Sequence, residues 1–319
     1  TFTNCGSVNT QASLYLDAYN FQFLNNEVTF SSSSSSCGCV KASHASSHIY
    51  KNNIFKNSRQ NQQWTSAGIH ETSPKTSNSF ELENNTFENI IGDNQGRCFQ
   101  IESATDVIIK NNTIKNCPEG GFYIKVMFSV DKDSIVVEDC KFINNRISNR
   151  WKNDVDLDPT IWLQNKMVAT GETNHYCLEA NIIFENCYFE NNYNPQKGGG
   201  LYFGKNVYLA NVKLTLHRCK FVDNIAAGDG GAVAIMTYQG CEIDECEFIH
   251  NRSEQGKGAI YIETKFSCTN CPPEIKPEIL IRDCKFENNE GTDYSCILVN
   301  YTENTPVSII NCSYTNCGS

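Results

Sequence analysis

The chain contains no run of 18 apolar residues, so nothing in it is long enough to cross a bilayer as a helix. Helical periodicity is also missing: apolar residues do not recur at i, i+3, i+4 and i+7. No GxSxG, HExxH or P-loop occurs, which removes the best-marked hydrolase, zinc-protease and phosphate-cradling chemistries. Charge is scarce, at 19% of residues, and its balance is acidic, with a net charge of −10 and a pI near 5.1. That argues against a nucleic-acid backbone or an anionic lipid surface as partner. The first residues, Thr1-Phe2-Thr3-Asn4, lack the basic start and apolar core of a signal peptide; the expectation is a mature chain or one excised from something longer.

What is present is a repeat, typified by Ile279-Leu280-Ile281-Arg282-Asp283-Cys284-Lys285-Phe286-Glu287-Asn288-Asn289. Its aromatic anchor falls at Phe23, Phe55, Phe87, Ile114, Phe142, Phe189, Phe221, Phe248, Phe286 and Tyr314, with gaps of 27 to 47 residues. Positions are numbered here from that anchor. Position −2 holds Asn53, Asn85 and Asn112, then Cys140, Cys187, Cys219, Cys246, Cys284 and Cys312; Phe21 takes the place in the first copy. Positions −7 and −5 are apolar and share a face of a strand, whereas −2 and 0 share the other parity. A corner at polar position −3 explains the slip. A second apolar segment follows most anchors, as Gly199-Gly200-Leu201-Tyr202-Phe203, Gly230-Gly231-Ala232-Val233 and Gly258-Ala259-Ile260-Tyr261. Each unit therefore holds several short strands and cannot bury its own apolar face; stacked units can.

The fold expected is all-β: a right-handed parallel β-helix of about ten coils, in one domain over residues 1–319, with loop inserts near 31–48, 58–79, 146–180 and 264–278. A leucine-rich-repeat solenoid is the alternative, because apolar-x-apolar-x-x-Asn/Cys-x-apolar also fits residues 135–142. Against it, position −10 is polar, and the Gly-rich second strand has no place on the helical side of such a unit.

The 39 asparagines have a structural use, since stacked asparagines at solenoid corners bond to neighbouring backbone. The ladder cysteines should be buried thiols. Stacked strands are about 4.8 Å apart with parallel Cβ vectors, beyond disulfide reach. Cys268 and Cys271 lie in a proline-rich loop and read as a local disulfide; zinc would need two more nearby ligands, and no second CxxC or His pair supplies them. An odd total of 17 cysteines leaves at least one free thiol. N-glycosylation sequons stand at Asn84, Asn111, Asn251, Asn300 and Asn311, no more than composition delivers, but Asn84, Asn111 and Asn311 share corner position −3, which should face solvent. Together with the cysteines these favour an extracellular or cell-surface location.

No catalytic, cofactor or metal residue is assigned. Asp154, Asp156 and Asp158 resemble the start of a calcium loop, but Pro159 replaces its glycine and Asn165 its closing acid, so a solvated loop is the reading. Columns −1 and +1 mix both charges with neutral residues, as a solvated face does. His44 and His48 are the one close histidine pair, in a Ser-rich stretch. Outward position −6 carries Ile108, Val136, Ile183 and Leu280, read as a strip covered by a neighbouring loop or by a partner.

The pairs Phe142-x-x-Asn145, Phe189-x-x-Asn192, Phe221-x-x-Asn224, Phe248-x-x-Asn251 and Phe286-x-x-Asn289, with the Gly-Gly-Ala and Gly-Ala-Ile runs between them, resemble the FxxN and GGAI repeats of chlamydial polymorphic outer membrane proteins and similar β-helical surface proteins of protozoa. The match covers roughly residues 140–290. The resemblance implies an adhesin-like surface protein without catalysis. The function expected is therefore structural or adhesive, with a protein or glycan partner. The near-repeat of Phe2-Thr3-Asn4-Cys5-Gly6-Ser7 as Tyr314-Thr315-Asn316-Cys317-Gly318-Ser319 adds head-to-tail stacking, or a longer solenoid, as a further expectation. The competing expectation is a polysaccharide lyase or glycoside hydrolase working in a groove along one face.

Overall fold

A computed structural model describes residues 2–3, 6–7, 14–18, 20–29, 32–33, 40–43, 47–60, 68–72, 79–92, 98–104, 106–118, 122–126, 133–146, 161–165, 180–203, 212–237, 240–264, 278–301 and 305–317. Among them there is no helix, and the strands pair in parallel, each coil with the next. The chain is an all-β parallel β-solenoid. The absence of any helical side among the described residues rejects the leucine-rich alternative.

One coil shows how sequence becomes shape. Strand Ser79–Glu83 alternates half-buried and buried residues and belongs to a 10-stranded sheet. Asn84 then turns the chain with φ 56°, and strand Thr86–Glu88 enters an 11-stranded sheet. Asn89, with φ 55°, makes the next turn. Every non-glycine residue of positive φ among the described residues falls at −3 or +2 of its coil. Most are asparagine, the residue that tolerates the left-handed region best after glycine. The phase slip read from the sequence is this corner.

The third side is built by strands such as Phe99–Ala104 and Phe122–Val126 in a six-stranded sheet, and Leu201–Phe203, Val233–Met236, Ile260–Glu263 and Ile297–Asn300 in a four-stranded one. Gly230, three residues before its strand, has φ 70°; a Cβ there would stand 2.3 Å from the Val233 carbonyl oxygen, so no side chain fits.

The core is a set of stacks along the axis. Phe142, Phe189, Phe221, Phe248 and Phe286 are buried with their rings nearly parallel and centroids 4.5–5.1 Å apart, and Tyr314 continues the stack. Burying each phenylalanine is worth roughly 2–3 kcal/mol.

Two expectations are corrected. Val28, not Phe23, is the anchor of the first complete coil, since Val28 pairs with Phe55 while Phe23 pairs with Tyr50 at position −5. Asn26, not Phe21, therefore sits at −2, and its N–H donates to Asn53 Oδ1 at 2.9 Å. The sequence misled because Phe21 and Phe23 are aromatic and Val28 is not. Three stretches read as inserts also carry solenoid strands: Ser32–Ser33 and Val40–Ser43 within 31–48, Arg59–Gln60 and Ile69–Thr72 within 58–79, and Ile161–Asn165 within 146–180. The polar residues of the first four hid them, and Ile161–Asn165 was hidden by the polar stretches on either side of it in sequence. Nearly all of 264–278 lies outside the described residues.

Candidate functional site

The outward face of the 10-stranded sheet carries a dense group of ionisable side chains. Alternation points positions −4 and −6 outward, and parallel in-register pairing places the same position of successive coils side by side. Position −4 thus lines up Lys51, Glu83, Lys110, Glu138, Glu185, His217, Asp244 and Arg282. Lys51 bridges Glu81 at 2.7 Å and Glu83 at 3.0 Å, and Lys110 meets Glu138 at 2.9 Å.

The cluster centres on His217. Its Nδ1 lies 2.9 Å from Glu185 Oε2; its Nε2 lies 3.7 Å from Asp244 Oδ2 and 4.0 Å from Glu245 Oε2. Arg282 donates from Nε and Nη2 to the two oxygens of Asp244 at 2.8 Å each. Arg218 pairs with Glu185, and Lys213 reaches Glu242 at 2.9 Å. Asp244 is buried, at 7% exposure, and the Arg282 bonds hold its carboxyl below the usual carboxylate range. The same bonds raise Arg282.

Chemically, Asp244 is a fixed anion at neutral pH. It is not the raised-pKa acid that protonates a leaving group in glycoside hydrolysis. One atom each from His217, Asp244 and Glu245 lie within 4.8 Å of one another, the reach of a divalent-metal set. However, both Asp244 oxygens already accept from Arg282, whose charge opposes a cation. The donors are satisfied as an ion-pair network, so they do not fit a metal centre.

The residues singled out from the sequence are placed as follows. Asn84, Asn111 and Asn311 are exposed at their corners, and Asn300 is half-buried. Asn251 is fully buried; its Nδ2 donates to Phe221 O at 3.0 Å and Asn289 Oδ1 at 3.1 Å, so it is corrected as a glycan acceptor. Cys140, Cys187, Cys219, Cys246 and Cys284 are buried free thiols, whereas Cys312, on the last described coil, is only partly buried. Burial pushes the Cys187 and Cys246 thiols up, and Cys241 to about 12. His48 is buried against Phe21, with ring centroids 4.2 Å apart, and is core. His44, Cys268, Cys271, Asp154, Asp156 and Asp158 lie outside the described residues. At position −6, Ile108 is 51% exposed and stands beside the half-exposed Val136 and Ile183 on the next two coils.

Sequence reasoning missed two features. The charge row at −4 was legible had that column been read beside −1 and +1. The disulfide Cys296–Cys317 joins neighbouring coils through two different columns, which strand spacing along one column does not reveal.

Residues 173–319 match a family model described as a right-handed β-helix region. No curated protein and no solved structure matches the chain. Fold and repeat thus place it among parallel β-helix repeat proteins. That architecture is compatible with surface proteins and with polysaccharide-active enzymes alike.

Proposed function

We propose that the chain is a non-catalytic extracellular or cell-surface β-helix protein, structural or adhesive in role, whose faces and corners contact a protein or a glycan. The observation that carries this reading is charge satisfaction along the coils. Lys51, Lys110, Lys213, His217 and Arg282 each meet a carboxylate on a neighbouring coil, and Asp244 is locked as an anion by Arg282. A face of mutually paired charges stiffens a rod. The exposed row from Ile108 to Ile183 supplies contact area, and the FxxN and GGAI likeness to bacterial and protozoan surface proteins points the same way. Head-to-tail stacking, or continuation of the solenoid in a longer chain, extends this reading.

The competing reading, a polysaccharide lyase or hydrolase, draws on the gathering of Glu185, His217, Asp244 and Arg282 on three sheet neighbours and one next to them. One experiment separates the two. Purified chain is incubated with uronate-containing and neutral polysaccharides, and new chain ends are counted for wild type and Asp244→Ala. No cleavage by either protein, with saturable binding to a cell surface or glycan array, is the expected result. Cleavage by wild type that Asp244→Ala abolishes would sink the structural reading.

A further inference from the structure

Cys98 and Cys117 are both fully buried, and their sulfurs lie 2.7 Å apart, well inside ordinary non-bonded contact. In this structure both are thiols. We propose that they are the partners of a further disulfide, formed at the same position of the coil as Cys296–Cys317.

The equivalence follows from register. Cys98 immediately precedes strand Phe99–Ala104, and Cys296 immediately precedes Ile297–Asn300. Ile69 N donates to Cys98 O at 3.0 Å just as Ile260 N donates to Cys296 O at 2.9 Å. At the other partner, Cys117 stands three residues after anchor Ile114, and Cys317 three after Tyr314. Ile114 pairs in register with Phe142, and Tyr314 with Phe286, so the two cysteines occupy one column. Cys117 N donates to Asn145 Oδ1, and Arg146 N to Cys117 O, as Tyr193 N does to Asn145 O. In each case a cysteine opening the third strand of one coil meets a cysteine at the second corner of the next.

That placement separates this pair from the position −2 ladder. Ladder cysteines share a column, so their side chains run parallel at strand spacing. Cys98 and Cys117 come from different columns and approach each other across the corner. The site is a built one: small residues otherwise fill the first position, as Gly68, Gly200 and Ala232 do, because it lies against the corner of the following coil.

Formation consumes a disulfide oxidant such as oxidised glutathione. A Cys98 or Cys117 thiolate attacks the oxidant, releasing one glutathione thiol and leaving a mixed disulfide; the second cysteine thiolate then attacks the protein sulfur and releases the other. The protein loses two hydrogens, and the oxidant is reduced to two thiols.

The test is peptide mapping of the full chain refolded in a glutathione redox buffer, alkylated under denaturing conditions and digested without reductant. A linked peptide containing Cys98 and Cys117 is expected, lost on reduction, and in Cys117→Ser the Cys98 thiol becomes alkylatable. Reducing that bond should lower Tm by about 5 °C against a Cys98→Ser, Cys117→Ser chain treated alike. Full alkylation of Cys98 and Cys117 in wild type, or linkage of either to another cysteine, overturns the proposal.

Discussion

The coils before residue 113 and those after residue 139 place the same polar fixture at opposite corners. In the early coils Asn53, Asn85 and Asn112 fill position −2, while position +3 holds Ser58, Ile90 and Cys117. In the later coils Cys140, Cys187, Cys219, Cys246 and Cys284 fill −2, and Asn145, Asn192, Asn224, Asn251 and Asn289 take +3. The exchange happens between adjacent coils. Each coil from Phe55 to Phe286 thus keeps one buried asparagine corner.

The hydrogen bonds explain why one is enough. Asn224 Nδ2 donates to Phe189 O at 3.0 Å and to Asn251 Oδ1 at 3.0 Å, while its Oδ1 accepts from Asn192 N at 3.1 Å and Asn192 Nδ2 at 2.9 Å. A cysteine does a weaker version of the task. Cys219 Sγ donates to Phe184 O at 3.3 Å, and Cys246 Sγ accepts from Cys219 N at 3.3 Å. Both donate to the preceding coil and accept the corner N–H, but only asparagine does so through four full-strength bonds.

The largest effect expected follows directly. Asn224→Ala strips partners from Asn192, Asn251 and Phe189 at once, and should cost about 4 kcal/mol in urea unfolding. Cys219→Ala removes a small apolar group with weak bonds and should cost about 1–2 kcal/mol. Equal losses at the two corners would break the comparison, because they would mean that the corners are valued for volume alone.

Much of this was open to reading in the sequence. The repeat, the Asn-to-Cys change at position −2 and the slip at −3 are local patterns, and local patterns survive translation into coils. What was hidden depended on closure of the coil. Val28 could be recognised as an anchor only by its pairing with Phe55. Strand Arg59–Gln60 is a strand because it lies between Ser32–Ser33 and Ile91–Gly92, not because of its own side chains. Cys296 and Cys317 are 21 residues apart along the chain and meet only across a corner. The ionic network around His217, from Glu185 to Arg282, joins four coils, so no window of sequence contains it.

A second difference between the regions is electrostatic, and pH tests it. Asp244 has its folded pKa depressed, chiefly by its bonds to Arg282. A carboxylate of that kind stabilises the folded state at pH values above its unfolded pKa, about 3.9, and the contribution is lost as pH falls through the folded value. Asp244→Asn should therefore destabilise by about 1–2 kcal/mol at pH 7. The gap between variant and wild type should close below about pH 4. A gap that stays constant from pH 7 to pH 3 would show that the network contributes packing and not charge. The junction between the two sets of coils offers the control: Lys110 and Glu138 form a more exposed pair, where removal should change little at any pH.

The smallest effect concerns the corners themselves, and its sign is the informative part. In the early coils the left-handed corners among the described residues are all asparagine: Asn25, Asn52, Asn57, Asn84, Asn89, Asn111 and Asn116. In the later coils Arg218, Asp223, Glu245, His250 and Asp283 hold the same conformation. Glu245, with φ 51°, has a long side chain that gains nothing from that backbone region, where asparagine is better tolerated. Its ionic neighbour among the described residues, His217, is 4.0 Å away, and the Glu245 side chain is 55% exposed, so little is lost when the carboxylate goes. Asparagines at this column also bond from coil to coil, as Asn311 Nδ2 does to Asp283 Oδ1 at 2.6 Å and Asn186 Nδ2 to Asp139 Oδ1 at 2.6 Å. The corner residue before Glu245 is Arg218, which offers no acceptor, so Glu245→Asn gains the preferred backbone alone and should raise stability by about 0.5–1 kcal/mol. A loss of stability on Glu245→Asn would mean that the later corners are charged for the sake of the His217 network, and that backbone preference is secondary there.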